Sequence, residues 1–102
     1  MALLHTVNKS PFDRNSLSDC LRRVKPGSSV LLIEDGVYGA LEETSVSDQI
    51  VEHNDKIKFY ALGPDLSARG LNGKPLIDGL TLIGYDGFVD LVEECSSVQS
   101  WL

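Results

Sequence analysis

Basic residues are scarce in this chain, nine against fifteen acidic ones, for a formal net charge of −6. That deficit argues against direct binding to nucleic acid or to an anionic membrane, because both need a basic footprint that releases counterions. Long apolar runs are missing too. No stretch approaches the roughly 20 residues that span a bilayer. No basic region precedes an apolar one at the N-terminus, so no signal peptide is expected. Cysteine is limited to Cys20 and Cys95. Two thiols without a secretory signal point to reduced cysteines in the cytoplasm, not to a disulfide framework. There is no G-x-G-x-x-G and no Walker A run to cradle phosphates. C-x-x-C, a His/Cys cluster at metal spacing and a G-x-S-x-G elbow are also absent. The sequence thus gives no footing for nucleotide, zinc or α/β-hydrolase chemistry, and no metal or dissociable cofactor is expected.

What is present is ordinary globular composition, 42% hydrophobic and 24% charged over 102 residues. That is the size of one domain, read here as residues 1–102. The chain is organised around Ser29-Val30-Leu31-Leu32-Ile33-Glu34-Asp35-Gly36-Val37. Its apolar run does not alternate, which is how a strand buried on both faces of a parallel sheet reads. Glu34, Asp35 and Gly36 end it abruptly. In open α/β sheets, ligands and partners sit at the carboxyl ends of strands. This acidic edge is therefore a candidate interface or binding edge, with a plain polar turn as the competing reading.

The rest of the chain alternates. Residues 2–7 read as a first strand containing His5, taken as a packed or capping histidine. Residues 13–24 read as a helix, with Leu17, Cys20, Leu21 and Val24 at i, i+3, i+4 and i+7. Pro26-Gly27 stops it. Val37, Ala40 and Leu41 fit a short second helix, and Ser47-Asp48 starts a further helical turn or two. Residues 57–62 are rich in β-formers. Gly63-Pro64-Asp65 opens a short helix closed by Gly70. Leu80-Thr81-Leu82-Ile83 is a fourth strand. Asp86 can cap a last helix whose face is Phe88, Leu91, Val92 and Cys95. The tail is polar until Trp101 and Leu102, and a terminal aromatic has value only if it docks. The pattern β-α-β-α-β-α-β-α predicts an α/β fold of three layers, α/β/α, around a mainly parallel sheet of about four strands. The helix between the third and fourth strands is very short, and a thinly covered face invites a partner subunit.

Two kinds of chemistry can be weighed on these residues. Phosphoacceptor chemistry at Glu34 and Asp35 needs a lysine at a later strand end. The fourth strand exits as Ile83-Gly84-Tyr85-Asp86, without one. Thiol chemistry has two candidates, both on apolar helical stripes. Arg22, Arg23 and Lys25 are possible sources of positive potential for Cys20, whereas Glu93 and Glu94 disfavour a Cys95 thiolate. If either thiol reacts, Cys20 is the expected one.

Leu4-His5-Thr6-Val7 with Ser10-Pro11, Asp35-Gly36-Val37, Tyr60-Ala61-Leu62, Asp65-Leu66 with Ala68-Arg69-Gly70-Leu71, and Tyr85-Asp86 with Phe88-Val89 and Leu91 occur in order. Together with an aromatic near the C-terminus, they resemble the DsrH/TusB family. This is the small third subunit of the DsrEFH and TusBCD sulfur-relay complexes. The resemblance implies a DsrE-like fold and a cytoplasmic hetero-hexamer with DsrE/TusD-like and DsrF/TusC-like subunits. It also implies that covalent persulfide sulfur is the transferred group and that the receiver is a DsrC/TusE-like carrier. The DsrH branch typically has a cysteine in its first helix, which Cys20 matches. The resemblance therefore leans to dissimilatory sulfur oxidation, with tRNA wobble 2-thiouridine formation as the alternative. In both branches it places the principal sulfur-carrying cysteine on the DsrE/TusD subunit, leaving this chain an auxiliary thiol at Cys20 or a non-catalytic scaffold role.

Overall fold

The computed structural model describes residues 3–102; Ala2, read into the first strand, lies outside the described residues. Five parallel strands form one sheet in the order β4-β3-β2-β1-β5. They are β1 (Leu3–Val7), β2 (Ser29–Leu32), β3 (Lys58–Leu62), β4 (Leu80–Ile83) and β5 (Ser97–Trp101). The four helices are α1 (Ser16–Arg23), α2 (Ser47–His53), α3 (Gly63–Ala68) and α4 (Tyr85–Glu94), and a 3-10 helix spans Glu34–Ala40. The α/β, three-layer parallel architecture agrees with the sequence reading.

β2 is flanked by β1 and β3, and Val30, Leu31 and Leu32 are fully buried. Its unbroken apolar run follows directly from having both faces covered. Val30 and Leu32 join Val7, Phe59 and Ala61 in the larger core, beneath Leu17, Cys20 and Leu21 of α1 and Ile50 of α2. Leu31 faces the other way. There it meets Leu4 and Leu91, with Ile33, Tyr60, Ile83, Phe88 and Cys95 around them. Among the described residues, α4 alone supplies the helical side of this smaller core.

The structure departs from the sequence reading in five places, the first being that Asp86, expected to cap the last helix, lies in its first turn while Gly84 holds the cap position. The tail is a fifth strand, not a free end. β5 pairs with β1 from Leu3↔Ser97 to Val7↔Trp101, and Trp101 docks on His5 through a bond from indole Nε1–H to Nδ1 at 3.0 Å. The first helix begins at Ser16, three residues later than its apolar spacing suggests. A turn holds the chain before it: the N–H groups of Asp13 and Arg14 both donate to the Ser10 carbonyl, and Phe12 N–H donates to Ser10 Oγ. The helix after β2 is 3-10, whose three-residue turn stacks Val37 and Ala40 on one inward face. Val92, assigned to the inner stripe of α4, is 43% exposed; Phe88, Leu91 and Cys95 carry the packing.

Candidate functional site at the carboxyl edge of the sheet

The acidic exit of β2 meets the helix that follows β3. Glu34 has a φ of +49°, in the left-handed region that few side chains adopt. Its backbone N–H donates to Asp65 Oδ2 at 2.6 Å. The neighbouring Asp35 Oδ1 accepts from Arg69 Nε at 2.9 Å, and Arg69 also donates to the Asp65 carbonyl at 3.1 Å. Asp65 lies in the first turn of α3 and Arg69 caps its end. The two motif stretches thus brace one another across the edge. The Asp35–Arg69 pair is partly solvated, so it contributes at most about 1 kcal/mol; its effect is to fix the loop. Gly36 completes the exit. A Cβ there would stand 2.1 Å from the Val7 carbonyl oxygen, so only glycine lets the 3-10 helix start against β1.

Beside this brace is an open cleft of about 400 Å³ lined by Ser10, Phe12, Asp13, Asp35 and Tyr38. It presents two carboxylates, two aromatic rings and two hydroxyls, and neither cysteine lines it. Asp35 is already paired with a cation of its own chain. Among the described residues, no group of three or more His, Cys, Asp or Glu side chains is placed to hold a metal ion. No helix among them is long and apolar enough to cross a membrane.

The thiols lie elsewhere. Cys20 is fully buried on the inner face of α1, and burial pushes its thiol up to about 12. At pH 7 the ionised fraction is then on the order of 10⁻⁵. The expected help from neighbouring cations does not prevail. Arg22 is exposed and paired with Asp19, while the Arg23 guanidinium lies over the Trp101 ring, 6.0 Å from its centroid. Lys25 is also exposed. Cys95 is partly exposed at the C-cap of α4, and burial together with the Glu94 charge raises its thiol.

Sequence reasoning placed Glu34, Asp35 and Gly36 at the edge but missed Asp65 and Arg69 as their partners. Their i, i+4 spacing signals a pair on one short helix, but nothing local ties that helix to the exit of β2. It also left His5 and Trp101 apart, since only the unseen fifth strand joins them.

Fold and site together define a small α/β protein with a parallel sheet whose strand-exit motifs lock each other in place. One of its thiols is sealed in the core. A family model described as "DsrH like protein" matches residues 9–98. Protein TusB of Serratia proteamaculans (strain 568) is 37% identical over 99 residues, covering 97% of this chain and 100% of that protein. Protein TusB of Escherichia coli (strain K12) is 35% identical over the same shares. The chain belongs to the DsrH/TusB family. Among solved structures, the ychN protein from E. coli superposes with a TM-score of 0.86 over 98% of each chain. At 15% identity, that likeness shows the fold.

Proposed function

We propose that this chain is a TusB-type subunit of a cytoplasmic sulfur relay that serves 2-thiouridine formation at the tRNA wobble position. In that relay it is a structural partner of TusD-like and TusC-like subunits in a hetero-hexamer, and a TusE-like carrier receives the sulfur. Full-length similarity to proteins named TusB supports this branch over sulfur oxidation with a DsrC carrier. The burial of Cys20 is the observation that carries the structural role. A relay thiol must attack the outer sulfur of a donor persulfide as a thiolate, break the donor S–S bond and release the donor thiolate. A sealed thiol raised to about 12 is poorly suited to that step.

The chain also has a surface suited to holding a partner. Tyr85, Val89 and Val92 form one outward face of α4 at i, i+4 and i+7, and they are 61%, 55% and 43% exposed. The helix backs a sheet face that it covers alone. The sulfur-oxidation reading, with Cys20 as an auxiliary persulfide thiol, rests on the presence of that cysteine in the first helix.

Co-expression with neighbouring reading frames, then intact-mass analysis of each subunit after polysulfide exposure, tests the proposal. Added sulfur is expected on a sister subunit and not on this chain. Persulfide at Cys20 in the assembled complex would replace the structural role with the auxiliary-thiol one. A monodisperse monomer that ignores both sister subunits would remove the relay reading altogether.

A further inference from the structure

At the amino-terminal edge of the sheet, opposite the acidic exit, lies a cleft of about 270 Å³. It is lined by Leu3 and His5 of β1, Arg23 at the end of α1, and Lys25, Pro26 and Ser28 of the connection to β2. We propose that this cleft binds a small oxyanion of the phosphate or sulfate type, received by His5 Nε2–H, Arg23, Lys25 and Ser28. The site is separate from the carboxyl edge and does not depend on the sulfur-relay reading.

His5 carries the inference. It is 4% exposed, and its Nδ1 accepts the Trp101 indole N–H at 3.0 Å. An indole nitrogen only donates, so Nδ1 is unprotonated and the neutral ring bears its hydrogen on Nε2. Burial lowers the His5 pKa, which favours this neutral form. Nε2 is sealed from solvent and has no partner among the described residues. A buried donor left unmade carries a desolvation penalty, and such orphans are rare in folded proteins. This one belongs to a ring that forms a wall of the cleft.

The surroundings supply the complementary charge. Among the described residues, no carboxylate lines the cleft, although the chain as a whole is acidic. Arg23 stands over the same indole that fixes His5, so an ion pair with the ligand starts from a guanidinium already held by its stacking contact. The C-terminus of α1 brings opposing negative potential of about half a unit charge. Two cations outweigh it. Lys25 is exposed, so its side chain can shift to admit a ligand oxygen to the ring.

Trp101 is the chain's single tryptophan and His5 one of two histidines, so both are readable by ¹⁵N NMR. The test uses the full chain, alone or in its complex, with ¹⁵N-histidine and ¹⁵N-tryptophan on this chain only. Inorganic phosphate and sulfate are titrated separately against chloride at constant ionic strength. Saturable shifts of His5 Nε2 and the Trp101 indole N–H are expected with an oxyanion and not with chloride. Arg23→Gln and Lys25→Gln alter exposed side chains and should each weaken binding about tenfold. Shifts that track chloride equally, that fail to saturate, or that persist unchanged in both variants would overturn the site.

Discussion

Gly36 leaves no slack at the carboxyl edge. The atoms a Cβ would strike are the carbonyl oxygen and carbon of Val7, backbone that is committed to the sheet. Gly36→Ala is therefore expected to cost about 2 kcal/mol or more, read as a lower denaturation midpoint. An unchanged midpoint would mean that the 3-10 helix shifts freely. Cys20 makes a different demand. Its thiol stays protonated in the folded chain up to about 12 but ionises from the ordinary value of 9.0 once exposed. Between those values the unfolded chain binds fewer protons, so stability falls as pH rises; below pH 9 the contribution is intact. Relative to Cys20→Ala, the wild type should lose up to about 1.4 kcal/mol per pH unit across that window. Parallel stability curves for the two proteins would show that the thiol is not sealed. At lower pH, an alkylating reagent should reach Cys95 well before Cys20, the reverse of the order that the neighbouring charges alone suggest.

Elements legible in the sequence are those whose burial leaves a pattern. β2 announced itself because both of its faces are covered, and α1 because Leu17, Cys20 and Leu21 all turn inward. β5 left no such mark. Four of its five residues are exposed, and its place is set by backbone pairing with β1. Side chains nearly a chain length apart add to that pairing: Thr6 Oγ1 donates to Ser100 Oγ, and Ser16 Oγ donates to the Leu102 carbonyl. The candidate site was half legible for a similar reason. Glu34, Asp35 and Gly36 are local features, but Arg69 reaches Asp35 across 34 positions, which no local spacing reveals. Trp101 is the one large side chain that β5 buries against the rest, so Trp101→Ala should cost about 1–3 kcal/mol. It should also speed amide exchange selectively in β5 and β1. Uniform protection in both strands would mean that backbone pairing alone holds the edge.

For the whole molecule, the two sheet faces are unequally covered. α1, α2, α3 and the 3-10 helix contribute to the larger core, whereas α4 stands alone on the other side and turns Tyr85, Val89 and Val92 outward. Gly87 sets this helix down tightly, since a Cβ there would lie 2.8 Å from Ile83 Cβ. The stripe is therefore a fixed surface. Asp86, Asp90, Glu93 and Glu94 are its helix's charged residues, and no basic residue occupies the last turn. Acidic groups at a helix C-terminus oppose the macrodipole. A partner surface that is apolar at its centre and basic at its rim would relieve that opposition and cover the stripe. Val89→Glu should then weaken association with the sister subunits by about thirtyfold, the scale of a central hot spot. Thermal stability should barely change, because the side chain already meets water. Val51→Glu is the matched control, a 53% exposed valine on α2, across the sheet from α4, and it should leave assembly intact. Rising salt should weaken the wild-type complex as its charged rim is screened. Pull-down and sedimentation of the co-expressed subunits measure the three effects on assembly, and thermal denaturation measures the stability. Equal losses in the two variants, or full assembly by Val89→Glu, would place the contact on another face.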